Sequence, residues 1–217
     1  MSTLSLPAQA YLLACDTGRD RLPDRQRVAV LVRAAALTDL VLRGLVVDGD
    51  GRPVVTGAGG TGHLVLDDLL DDLAADPHRK WRAWVRRDAR ATLQSLEAQL
   101  DAAGTITLRT SSLLGLFHRR RPVVRDRAEA ARLHEVVADA LRSEEPVSRV
   151  DPGAAALTSL AAAVELGTVL PRRDRRQHKA RLAELEDRAG AVVPALRKVI
   201  RELNAARQAA ISGGSGG

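Results

Sequence analysis

Arginines, rather than any nucleophile or metal ligand, are the residues here whose types and spacing could do chemistry. Arg33 sits inside the apolar run from Val28 to Leu37. Burying an unpaired guanidinium costs several kcal/mol, so Arg33 must meet an acid or open onto a pocket that receives an anion. Asp39, six positions on, is not its helical neighbour, so any acid partner comes from elsewhere in the fold. Arg86, Arg87 and Arg90 share one later stretch, with Arg82 a turn before Arg86. His118-Arg-Arg-Arg121 directly follows Leu113-Leu-Gly-Leu-Phe117. There Leu116 and Phe117 form an apolar tip that can dip into a bilayer while Arg119, Arg120 and Arg121 meet lipid phosphates, each adding about 1 kcal/mol near an anionic surface. The same pattern suits the wing of a winged-helix nucleic-acid binder or a plain solvated basic edge.

Other motifs carry less. Gly57-Ala-Gly-Gly-Thr-Gly62 has the G-x-G-x-x-G form, but Asp76-Pro77 leads into another helix where a dinucleotide site needs a second parallel strand, so it reads as a loop. Asp67, Asp68, Asp71 and Asp72 form i, i+4 pairs without a convergent third wall, which reads as a solvated acidic face rather than a cation site. The five histidines show no metal spacing, and no serine lies in a G-x-S-x-G elbow. No residue is nominated as catalytic and no cofactor is implied. The single cysteine, Cys15, excludes an internal disulfide framework.

These residues need elements to position them. Aromatics make up 2% of the 217 residues, so the core must be built from Leu, Val and Ala, which favours packed helices over a sandwich or barrel. The stretch from about Arg25 to Leu42 is apolar nearly all round and predicts a helix covered on several sides. A short helix from Ser5 to Leu13 precedes it. Leu45 to Thr56 predicts a hairpin about a Gly/Asp turn, followed by a helix beginning near Thr61. One long helix is expected from Lys80 to Ala103, then a second hairpin from Thr105–Leu108 and Leu113–Phe117. Helices over Asp126–Leu141, Ala154–Leu166, Arg173–Arg188 and Ala191–Ala209 complete the chain, with Glu144–Pro152 as an exposed connector. The expected fold is mainly α, helices packed around a buried central one with two small β-hairpins. It forms a single domain over 1–211, and 212–217 reads as a linker. The net charge is +6, almost all of it from arginine, which suits phosphate and carboxylate or reflects codon bias in a GC-rich genome. Neither a signal peptide nor a spanning helix is expected.

Three blocks, Leu4 to Asp16, Leu37-Thr-Asp-Leu-Val-Leu-Arg-Gly44 and Thr61 to Leu70, resemble the Golgi phosphoprotein 3 family in order and spacing. Gly104 with its following hairpin, Leu116-Phe117 and the late helices fit the same family, and the arginine-rich composition looks like an actinobacterial member. The resemblance implies a helical domain that binds phosphatidylinositol 4-phosphate at a basic pocket and recruits protein clients to a membrane. Aligned on Leu-Arg-Gly, the family's helix arginine falls on Arg33. Aligned on Gly104, the first of its later basic pair falls on Arg90, but the second falls on Leu93, and the pocket tryptophan falls near Asp24. The expected ligand is therefore an anionic phospholipid headgroup, held by Arg33 and Arg90 with Arg86 and Arg87, on a cytoplasmic protein peripheral to the inner face of a membrane. A nucleic-acid-binding regulator is the alternative.

Overall fold

The structure is a computed structural model that describes residues 4–57, 59–113 and 117–213, without the side chains of 110–113, 117–120 and 213. Helix α1 (Leu6–Ala14) opens with Pro7 in its first turn. The Ser5 side chain makes no capping bond. Instead the Leu6 amide donates to Asp39 Oδ2 at 2.7 Å, a carboxylate delivered by the next helix. That helix, α2 (Arg25–Leu42), is capped by Asp24, which accepts from the Arg27 amide. Every residue from Val28 to Leu40 is buried, because α1 and several later helices pack on it. The nearly continuous apolar sequence is what a helix surrounded on all sides requires.

A short antiparallel ribbon, β1 (Val46–Asp48) with β2 (Pro53–Val55), follows. Its turn is tied to the body by Trp81, whose indole Nε1 donates to Asp48. The loop holding the G-x-G-x-x-G spacing lies between this antiparallel ribbon and α3 (Leu64–Ala75), which is the loop reading of that motif.

The expected long helix is two helices, α4 (Trp81–Arg86) and α5 (Ala89–Ala102). Between them Asp88 takes a left-handed backbone, φ 51°, which aspartate adopts more readily than most residues. This break positions the site. In an unbroken helix the Trp84 carbonyl would accept from the amide four residues on. Here it is left for another donor.

The second ribbon, β3 (Ile106–Leu113) with β4 (Phe117–Val124), is longer than the sequence pattern predicts, pairing from Ile106 with Val124 to Leu113 with Phe117. His118 to Arg121 therefore belong to strand β4 itself rather than to a segment after the hairpin. A backbone ladder needs no apolar face to form, so periodicity could not reveal it. Helix α6 (Arg127–Arg142) is capped by Asp126. The connector from 144 to 152 is pinned rather than exposed throughout: a 3-10 turn (Val147–Arg149) buries Val147, and Val150 is buried beside it. Helix α7 (Pro152–Ala163) is followed by α8 (Arg172–Gln177) and α9 (Lys179–Ala189), which break at His178 where one helix was expected. Helix α10 (Val192–Gly213) runs two residues into the segment read as linker. Its outer half is clamped to the start of α2, since Arg207 bonds Asp24 at 2.7 and 3.0 Å and Arg27 reaches Asn204 at 2.8 Å. Burial alone would push the Asp24 carboxyl up, but Arg207 and the Arg27 amide outweigh it and hold it below the ordinary aspartate value. The fold is mainly α with two small antiparallel ribbons.

Candidate anion-binding groove

Arg33 is 3% exposed and bonded through all three of its side-chain nitrogens. Its Nε donates to the freed Trp84 carbonyl at 3.3 Å, Nη1 to Thr92 Oγ1 at 3.0 Å and Nη2 to Asp72 Oδ2 at 3.4 Å. Burial pulls its pKa down, against the pull of Asp72. The Trp84 ring, itself buried, lies beneath three guanidiniums, Arg33, Arg79 and Arg87, at 5.9, 5.8 and 5.2 Å from its centroid. Aspartates hold all three: Arg33 by Asp72, Arg79 by Asp76, and Arg87 by Asp76 and Asp88. The cavity beside Arg33 is about 200 Å³, and its charged walls besides Arg33 are Asp68, Asp72 and Asp88. Three carboxylates around one committed guanidinium repel an anion.

A different place gathers arginines in a lining that holds no acid. Arg25, Arg86 and Arg90 line a groove of about 440 Å³ between α2, the α4–α5 corner and α10. Arg86 Nη1 donates to Glu202 at 2.9 Å, leaving its other N–H groups available. Among the described residues Arg90 has no hydrogen-bond or ion-pair partner. A second groove of about 700 Å³ shares the Arg25 wall and is bounded by Arg19, Arg21, Asp24 and, on β4, Arg121 and Pro122. Together the two linings carry six arginines and one aspartate, Asp24, which Arg207 already occupies.

Arg25 joins this surface to the core. Its Nη1 and Nη2 bond both oxygens of Glu97 at 2.8 and 2.6 Å, while Tyr11 donates to the same carboxylate at 3.0 Å. Glu97 is wholly buried, and the Arg25 side chain is 41% exposed. The fork is therefore fixed from the inside and presents its remaining N–H groups outward. Burial, and then the Glu97 charge, pushes the neighbouring Cys15 thiol up to about 12. Cys15 is accordingly expected to resist an aromatic disulfide reagent at pH 8 in the folded protein and to react fully in denaturant; rapid reaction of the native protein would show that this layer opens.

The four arginines expected to form one pocket thus separate. Arg33 and Arg87 gather on Trp84 among aspartates, whereas Arg86 and Arg90 share the open groove. Leu93, where the family alignment leaves the second basic position, lies in the groove floor. Arg121 is exposed on the adjoining groove, the side chains of Phe117, Arg119 and Arg120 are not described, and Leu116 lies outside the described residues. Arg25 was missed by sequence reasoning. Its signal was Glu97, an acid between Leu96 and Leu100 that could be buried only beside a cation.

A model of the Golgi phosphoprotein 3 (GPP34) family matches residues 6–203. The chain belongs to the Golgi phosphoprotein 3 family. No curated protein matches it. The matched span runs from the first residue of α1 to Leu203 in α10, so it includes both basic grooves. Membership in the Golgi phosphoprotein 3 family is consistent with a lipid-binding or adaptor role and does not point to an enzyme. Among the described residues, no helix is long and apolar enough to cross a membrane.

Proposed function

We propose that this protein is a peripheral adaptor that binds anionic phospholipid headgroups, of the phosphoinositide kind, in the groove of Arg25, Arg86 and Arg90, and recruits protein partners to the membrane it docks on. One observation supports this most: the fixed fork of Arg25 and the unpartnered Arg90 line the same groove, adjoining a second basic groove that leads to Arg121. Planar forks suit a phosphate's several oxygens. Arg33 has a different part in this reading: it lies outside this groove and, itself buried, satisfies the Trp84 carbonyl, Thr92 and Asp72.

Co-sedimentation with vesicles tests the proposal. Binding is expected to vesicles containing phosphatidylinositol 4-phosphate or phosphatidylserine, to weaken with salt, and to be absent with neutral phosphatidylcholine. Removing Arg86 and Arg90 together should weaken it on the order of tenfold or more, at about fivefold per arginine near an anionic surface. Unchanged binding by that double variant would reject the groove. Binding to duplex DNA with a steep salt slope, and none to vesicles, would replace this reading with a nucleic-acid one.

A further inference from the structure

The groove is cationic only at its rim. Its floor is Ala29 and Val30 of α2, Ala89 and Leu93 of α5, and Val199 and Leu203 of α10. A phosphorylated sugar or inorganic phosphate would be met by the arginines and leave that floor wetted. An apolar floor beneath charged forks suits a molecule with both characters, and the groove's 440 Å³ is more than a phosphate group fills.

We infer that the groove takes an anionic single-chain amphiphile, its phosphate or carboxylate on Arg25, Arg86 and Arg90 and the first part of its hydrocarbon chain along the floor formed by α2, α5 and α10. The inference rests on the headgroup reading for its charged half and goes beyond it for the chain. Two features of the groove favour this occupant. Every exposed residue of the lining is an arginine or a glutamine and every buried one is apolar, so a ligand is oriented with its head at the rim. The floor also comes from three helices whose other faces are packed in the core, so the trough is rigid and needs no rearrangement to receive a chain. The chemistry is shared by a membrane lipid that lays one chain in the groove and by a free alkyl phosphate.

Calorimetric titration with ethyl, butyl, hexyl and octyl phosphate, each kept monomeric, and with inositol phosphate separates these possibilities. Affinity is expected to rise about threefold to fourfold per methylene over the shorter chains and then to level off as the chain outgrows the floor. Inositol phosphate should bind no better than ethyl phosphate. Leu203→Ser, a half-buried position on an outer helix, should flatten the chain-length dependence, and its melting temperature confirms the fold. Arg90→Ala should weaken every member by a similar factor. Affinity that depends on Arg90 but not on chain length overturns the amphiphile inference and leaves the headgroup reading standing. Titrations insensitive to both Arg90 and chain length overturn both. Release of the protein from anionic vesicles by octyl but not ethyl phosphate identifies a bilayer lipid as the source. Chain-dependent binding by a protein that ignores vesicles identifies a free amphiphile, sustaining this inference while removing the membrane reading.

Discussion

Replacing Arg25 with methionine will lower the stability of the fold by about 3 kcal/mol or more, the loss expected when one partner of a buried ion pair is removed. The variant leaves the Glu97 carboxylate at zero exposure with the Tyr11 hydroxyl as its remaining side-chain donor. For a chain of this size that corresponds to a melting temperature lower by roughly 6 to 12 °C. The compensating pair Arg25→Met with Glu97→Gln removes the stranded charge while keeping an acceptor for the buried Tyr11 hydroxyl, and is expected to recover most of the loss. It should not recover vesicle binding, since the groove still lacks the fork. Thermal melts and co-sedimentation on the same three proteins separate the inward and outward work of Arg25. Should the double variant bind vesicles as the original does, Arg25 is a core residue alone.

Arg33→Met is expected to show the opposite signature to Arg90→Ala. It removes the donor to the buried Trp84 carbonyl, the bond to Thr92 and one of three guanidiniums over the Trp84 ring. An orphaned buried carbonyl costs about 1 to 3 kcal/mol and a desolvated cation–π contact about another 1, so a total near 3 kcal/mol is expected. Asp72, whose side chain is 41% exposed, returns to water and adds little. Arg33→Lys recovers only part, because an ammonium on a flexible stem cannot reproduce a planar fork aimed at three acceptors. Below its melting transition Arg33→Met should retain vesicle affinity, whereas Arg90→Ala, an exposed and unpartnered arginine, should melt normally and bind weakly. Lost binding in a normally melting Arg33→Met would show that Arg33 meets the ligand directly, as the family alignment implied.

Much of the fold is local and was therefore readable. The central helix spans the predicted Arg25–Leu42, since an apolar run preceded by a capping aspartate and ended before glycine leaves few other solutions. Desolvation alone required that Arg33 find something negative. The blocks around Leu4, Leu37 and Thr61 resembled the family whose model matches residues 6–203. Less readable were the places where neighbours along the chain agree with two outcomes. Helical spacing continues through Arg87 and Asp88, yet the backbone turns there, and the polar residues of β3 and β4 show no amphipathic period although their ladder is continuous.

From its own letters, then, this sequence determined a mainly helical chain with one buried rod, two ribbons, and an arginine that water could not serve. Tertiary structure decided which arginines are drawn into the core and which line a groove. Asp72 comes to Arg33 from 39 positions away and Glu97 to Arg25 from 72, and the turn at Asp88 sends Arg87 to Trp84 while leaving Arg86 and Arg90 at the groove. Helical periodicity reports only partners three or four residues apart, whereas the free energy of a charge depends on whatever the whole fold brings to it.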